Sequence, residues 1–373
     1  MSDKNATSKS LDIHRLLQTA VDQGASDLHL TVGIAPCLRI DGQIFPIKIP
    51  ALTDTDIAKL AYSILNERQQ REFEEGNEID LSFQWKGLAR FRANFYRQRG
   101  QIAGVLRKIP NDIPGLGELG VIPSVNDLIN QTEGLILVTG PTGSGKSTTL
   151  ASMLDAYNSR HRGHIMTIED PIEFVHNHKK CVVNQREIGS DTETFSTALR
   201  YVLRQDPDAV LIGEVRDSIT MEALLKIAET GHVAFATLHT NNAVQTILRI
   251  LDFFPPAQHS MIRTQLSFVL KGVISQQLVP RSSGRGRALA SEVLIPTPAI
   301  RNLIRENKIH QIYSQMQLGQ GQTGMQTLNQ SLFELIKRKI VSIEEGLMRS
   351  YDSDELSNML LDKGIYHKKT RSS

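Results

Sequence analysis

The sequence predicts two folds in succession, an α+β domain built on an antiparallel sheet and then an α/β domain built on a largely parallel one. Short runs of alternating polarity fill the first part of the chain, whereas unbroken apolar runs alternate with helical patterns in the middle. Between the two patterns lies Pro110-Asn111-Asp112-Ile113-Pro114-Gly115-Leu116-Gly117, rich in proline and glycine as an interdomain connection would be. A chain of 373 residues also exceeds one ordinary domain, so two cores are expected.

Residues 1–10 are polar and predict a flexible tail. Leu11, Leu16, Leu17, Ala20 and Val21 then approximate a helical stripe that Gly24 is placed to end. Leu28, Leu30 and Val32 alternate with polar neighbours, and Leu38–Ile40 and Gln43–Phe45 flank Asp41-Gly42, a strong hairpin signal. A second hairpin is expected between Ile79, Leu81, Phe83, Trp85 and Phe91, Ala93, Phe95, turning at Lys86-Gly87. These elements make an N-terminal domain over 11–109, followed by a linker over 110–120. From residue 121 the apolar runs Leu135–Thr139, Ile165–Ile168, Ala209–Ile212 and Val233–Leu238 predict parallel strands. From about Pro256 to residue 365 the chain reads as helical, interrupted at Pro280–Arg287, and residues 366–373 predict a second flexible tail.

The formal net charge of +2 offers no case for nucleic acid as a partner. Cys37 and Cys181 have no CxxC spacing, which argues against a disulfide framework and against a four-cysteine zinc site, and suits a reducing cytoplasm. The polar start lacks the apolar core of a signal peptide, and no stretch reaches the roughly 18–20 apolar residues that span a bilayer. Any membrane contact is therefore expected to be peripheral.

Gly140-Pro141-Thr142-Gly143-Ser144-Gly145-Lys146-Ser147-Thr148 follows the apolar run Leu135–Thr139 and precedes a helical pattern. Glycines let successive backbone N–H groups turn inward around phosphate oxygens, and the helix adds its positive end. Lys146 can reach the β- and γ-phosphates, and Ser147 can ligate magnesium. ATP and Mg2+ are the expected ligands of an α/β core of the RecA-like kind.

In parallel sheets functional groups gather at the carboxyl ends of strands. The next three apolar runs end in Glu169-Asp170-Pro171-Ile172-Glu173, in Gly213-Glu214-Val215-Arg216-Asp217 and in His239-Thr240-Asn241. Hydrolysis of a γ-phosphate needs a metal site and a carboxylate that orients or deprotonates water. Gly213 occupies the place where an aspartate usually ends such a strand, so Glu214 is expected to hold magnesium, directly or through water. Glu169 becomes the expected base. Asp170 and Glu173 read equally well as solvated loop acids. His239 is a candidate reporter of the γ-phosphate, and His232, at the start of its strand, reads equally well as a buried structural group.

The set Gly140–Thr148, Thr167–Glu173, Arg204–Asp208 with Gly213–Asp217, and Gly231-His232 with Thr237–Asn241 resembles the secretion ATPase superfamily. Ala25-Ser26-Asp27-Leu28-His29-Leu30 and Ala299-Ile300-Arg301-Asn302-Leu303-Ile304-Arg305-Glu306 resemble its pilus-retraction branch. The missing cysteines agree, because extension and type II secretion motors often carry a four-cysteine zinc element after the core. The resemblance implies a PAS-like N-terminal domain, a RecA-like ATPase domain with C-terminal helices and a homo-hexameric ring. It further implies ATP-driven pilus retraction and twitching motility at the cytoplasmic face of the inner membrane. An inner-membrane pilus platform protein and an accessory retraction ATPase are the implied partners. By this analogy Arg92 and Arg107 complete the site of a neighbouring subunit, with Arg97 and Arg99 as further candidates, and residues 299–306 serve retraction rather than nucleotide binding. From the residues alone, Thr297 caps a helix begun by Pro298, with Ile300, Leu303 and Ile304 on one face and Arg301 and Arg305 exposed on another. An extension ATPase, an accessory retraction paralogue and a RecA-like nucleic-acid motor are the alternative readings.

Overall fold

The computed structural model describes residues 11–366 apart from Asp41, Lys86 and Asn111. The tails expected over 1–10 and 367–373, and one residue of each expected hairpin turn, lie outside the described residues. The chain divides into two compact units between Asp112 and Ile113.

In the first unit, β1 (Asp27–Leu30), β2 (Cys37–Ile40), β3 (Gln43–Pro46), β4 (Glu78–Trp85), β5 (Ala89–Gln98) and β6 (Gln101–Ile109) form an antiparallel sheet in the order β3-β2-β1-β6-β5-β4. Alternation along β5 explains the register. Phe91, Ala93 and Phe95 are buried in the core, whereas Arg92 and Asn94 point to the opposite, exposed face. Phe95 lies opposite Gly104 of β6, where a Cβ would come within 2.5 Å of the ring, so the glycine makes room for the phenylalanine. Helices Ile13–Asp22, Asp54–Tyr62 and Glu67–Gly76 complete this core, the last two begun by reciprocal capping pairs Thr53/Asp56 and Asn66/Gln69.

The second unit is built on β7 (Gly134–Thr139), β8 (His164–Glu169), β9 (Val182–Glu187), β10 (Ala209–Ile212), β11 (Val233–Leu238), β12 (Leu270–Pro280) and β13 (Arg287–Leu294), in the order β13-β12-β7-β11-β10-β8-β9. Only the β12–β13 pair is antiparallel. Every residue of β7 is buried. Its odd positions, Leu135 and Leu137, join one core, and its even positions, Ile136 and Val138, join another on the opposite face. Helices therefore cover both faces, as a parallel sheet requires. Helix Lys146–Arg160 lies on the even side through Leu150, Met153, Leu154 and Tyr157. Helices Ser218–Glu229, Ala243–Asp252, His259–Val269 and Pro298–Arg305 lie on the odd side. Among the described residues no helix is long and apolar enough to cross a membrane.

The structure corrects the reading of the chain beyond Pro256 as all helix. Leu270, Val273, Ile274 and Leu278 fall at helical spacing, yet they belong to β12, which pairs with β7 through a register shift at Leu270/Gly272. Residues 281–286 are the turn of the β12–β13 hairpin rather than an interruption between helices, with Gly284 and Gly286 both at φ +75. β9, a half-polar strand at the sheet edge, has no apolar run to announce it in the sequence. Helices Leu328–Lys337, Ile343–Arg349 and Ser353–Asp362 follow and pack on Val279, Ala288 and Ala290 of the hairpin.

Candidate nucleotide site

β7, β8, β10 and β11 are parallel, so their carboxyl ends open on one edge, and the sequence places a chemical group after each. β7 runs into Gly140–Thr148. Gly140 has φ +144, and a Cβ there would lie 2.4 Å from the carbonyl oxygen of Gln276 on β12, so only glycine fits. Gly143 and Gly145, at φ +76 and +88, complete a cradle of inward-turned N–H groups, and Gly145 is the N-cap of helix Lys146–Arg160. β12 props this loop: Gln276 Nε2 donates to Ser144 O at 2.9 Å, and Thr139 and Ser275 share a hydroxyl hydrogen bond of 2.7 Å.

Two observations fit the loop to phosphate. The hydroxyl of Ser144 is buried without a hydrogen-bond partner. Lys146 Nζ donates only to carbonyls of its own loop, Gly140 O at 2.9 Å and Pro141 O at 3.1 Å, and loss of hydration pulls its pKa below the ordinary lysine value. The carboxylates of Glu214 and Glu173 act on this ammonium through space, while its direct acceptors are two neutral carbonyls that an anion can replace.

The two acids differ. Glu169 closes β8 in the cavity wall, where desolvation raises its pKa. Hydrogen bonds from Thr167 Oγ1 (2.7 Å) and Gln185 Nε2 (3.1 Å) to Oε1 hold that rise back. Glu214 moves the other way, chiefly because Arg216 Nη2 donates to its Oε2 at 2.7 Å. Its Oε1 lies 3.1 Å from His239 Nε2. Gly213 has a reason to be glycine, since a Cβ there would sit 3.3 Å from the Cα of Glu169. Thr237 of β11 donates to Gly213 O at 2.6 Å and ties the two strand ends together. One carboxyl pushed up and a neighbouring one pushed down is how a site divides base from ion-holder.

These groups line a cavity of about 390 Å³ that includes Lys146, Ser147, Glu169, Glu214, Arg216 and His239. Asp170 and Glu173 also line it. His232, at the opposite end of β11, bonds locally to Thr230 Oγ1 at 3.1 Å and does not line the cavity. Leu278 and Arg287 do line it, from β12 and β13, and sequence reasoning missed both. Reading 270–280 as a strand beside the phosphate loop was the signal that could have found them.

Arg92 and Arg107 belong to the first unit, directly opposite each other on β5 and β6. Arg92 is paired with Asp80, and Arg107 Nε donates to the buried Asp27 at 2.8 Å. Neither is among the residues that line the cavity. The expected helix exists as Pro298–Arg305, with Thr297 as its N-cap and Ile300 and Ile304 wholly buried. Of the two arginines expected to be exposed, Arg305 is, and Arg301 is not. Arg301 Nη1 donates to Ser267 O at 2.7 Å and Phe268 O at 2.9 Å, capping the carboxyl end of helix His259–Val269, and Arg305 lies over the Phe268 ring.

A largely parallel sheet whose interior strand β7 enters a glycine cradle, with an acid–histidine pair after the adjoining strands β10 and β11, defines a P-loop nucleotide-binding protein. The chain belongs to the Type II/IV secretion system protein family, whose model matches residues 2–348. It is 49% identical over 336 residues to the type IV pilus retractation ATPase PilT of Pseudomonas aeruginosa, covering 90% of this chain and 97% of that protein. It is 39% identical over 350 residues to the type IV pilus ATPase PilU of the same organism, covering 94% and 91%. The crystal structure of the pilus retraction motor PilT with bound ADP superposes with a TM-score of 0.88 at 51% identity, covering 94% of this chain and all of that one.

Proposed function

We propose that this protein is an ATP-hydrolysing motor that drives type IV pilus retraction and hence twitching motility. The observation that carries the reading is Glu214 held between Arg216 and His239 on the sheet edge that ends in the phosphate loop, in a chain alike over nine-tenths of its length to a pilus retraction ATPase.

The loop N–H groups and Lys146 bind the phosphates, with Lys146 leaving its own carbonyls to do so. The oxygens of Ser147 and Glu214 would hold magnesium, which supplies charge neutralisation on the phosphates. Glu169, its pKa raised, orients the attacking water and takes its proton. His239, resting on Glu214, responds to the γ-phosphate. Arg92 and Arg107 reach the site of the next subunit of a homo-hexamer, where their planar cations meet charge spreading over the phosphoryl oxygens. ATP thereby draws the N-terminal domain of one subunit onto the ATPase domain of its neighbour, with 110–120 as the hinge, and hydrolysis releases it. Passed around the ring, that rotation acts on an inner-membrane platform protein from the cytoplasmic face, with residues 299–306 serving retraction and an accessory retraction ATPase as a further partner. The higher identity to PilT than to PilU favours the principal motor over the accessory one.

The test is deletion of the gene in its host with counts of surface pili and of twitching, complemented by wild type or Glu169→Gln. Abundant pili without movement, restored only by wild type, is the expected result. Absence of pili would move the protein to the extension class.

A further inference from the structure

Residues 240–242 carry the chain from His239 into helix Ala243–Asp252, and residues of the C-terminal third fasten this loop at two points. At the helix start, the N–H of Ala243, which has no partner within the helix, donates to Glu292 Oε1 at 2.8 Å. Glu292 stands on β13 and is 2% exposed, and its Oε2 makes no hydrogen bond. At the loop itself, Asn241 O accepts from the phenol of Tyr351 at 3.0 Å, and that phenol accepts from Gln277 of β12. Neither Glu292 nor Tyr351 lines the nucleotide cavity.

A carboxylate withdrawn from water is costly, and its surroundings here do little to relieve it. The titratable groups facing Glu292 are Glu355 from helix Ser353–Asp362, Tyr313 from helix Ile312–Thr323, and Tyr351; none is a cation. What favours its charge is backbone: the N–H of Ala243 and that of Leu328, each the first residue of a helix. Glu355 is in turn held by Tyr313, Gln317 and Asn329, so the C-terminal helices form one polar cluster beneath the loop.

We propose that Glu292 and Tyr351 are positioning residues for His239, holding the loop that follows it to β13 and to the C-terminal helices, so that those helices and the His239–Glu214 contact are set together. The inference rests on the reading of His239 as the phosphate-responsive group. Coupling of this kind is reciprocal, so nucleotide at His239 also steadies the C-terminal helices.

Steady-state ATP hydrolysis by the full-length protein, followed from about pH 6 to 9, tests it with wild type, His239→Ala, Tyr351→Phe and Glu292→Gln. Tyr351 is half exposed, so phenylalanine leaves the fold intact even where glutamine at position 292 does not. Tyr351→Phe is expected to lower kcat about fivefold with KM for ATP unchanged. Glu292→Gln is expected to lower kcat similarly at high pH and to lose the fall in kcat that protonation of Glu292 causes on acidification. The double variant should lose less than the product of the two single losses. Wild-type kcat in Tyr351→Phe, or an effect confined to KM, overturns the proposal while a slow His239→Ala keeps the site assignment standing. Wild-type turnover in His239→Ala overturns both.

Discussion

His239 Nε2 lies 3.1 Å from Glu214 Oε1, on a carboxylate whose other oxygen is taken by Arg216. The acid is thus fixed in place and kept charged by its own neighbours, which suits the ion-holding role proposed for it. Glu214→Gln keeps the shape and removes the charge. Turnover should fall about 10²- to 10³-fold, and raising magnesium should recover part of it. A variant that turns over normally at all magnesium concentrations would remove Glu214 from the site.

Glu169 and Lys146 should separate in their effects. Lys146→Ala removes the cation proposed to meet the phosphates, and both nucleotide affinity and turnover should collapse. Glu169→Gln leaves the cradle untouched, so ATP should bind with near-normal affinity while hydrolysis slows by orders of magnitude. Equal loss of binding in a nucleotide titration of Glu169→Gln would make the residue structural.

Arg301 is anchored to two carbonyls, so it carries stability as well as any role in retraction. Arg301→Ala should cost about 1–3 kcal/mol, read as a lower Tm, while leaving kcat for ATP largely intact. Retraction in cells should fail. A wild-type Tm would show that the carbonyl contacts contribute nothing.

Gly104 faces the ring of Phe95 too closely for any side chain. Gly104→Ala should destabilise the first unit by about 1–3 kcal/mol, and Phe95→Leu in the same chain should recover part of the loss by returning the volume. Additive losses in chemical denaturation would point to backbone conformation instead.

Glu292 makes stability depend on pH with a definite sign. Burial raises its pKa to about 7 from an ordinary 4.5, so the folded state binds a proton more tightly than the unfolded chain does. Its contribution is complete below the unfolded value and is lost as pH rises through about 7. Glu292→Gln removes that dependence, so its stability relative to wild type should improve by up to about 3 kcal/mol between roughly pH 4.5 and 7. Parallel melting curves across that range would show that the carboxyl does not titrate there.

Much of the candidate site was legible because its residues are contiguous. The phosphate loop and the groups after β8, β10 and β11 are local motifs whose spacing reflects backbone geometry, and a glycine such as Gly143 is required by a positive φ of the loop itself, with no neighbour within 4 Å of where a Cβ would stand. Amphipathic alternation placed Phe91, Ala93 and Phe95 inward and Arg92 outward for the same local reason. Partners distant in the chain were not legible. Asp80 beside Arg92, Asp27 beside Arg107 and the carbonyls that hold Arg301 become neighbours only on folding.

The sequence by itself therefore determined the two-part organisation, the parallel core and the phosphate cradle, since each depends on periodicity or turn chemistry within a few residues. Only the tertiary structure decided that Leu270–Pro280 is a strand rather than a helix. Its apolar spacing satisfies both, and pairing with β7, which brings Gln276 under the loop and Leu278 into the cavity, selects the strand.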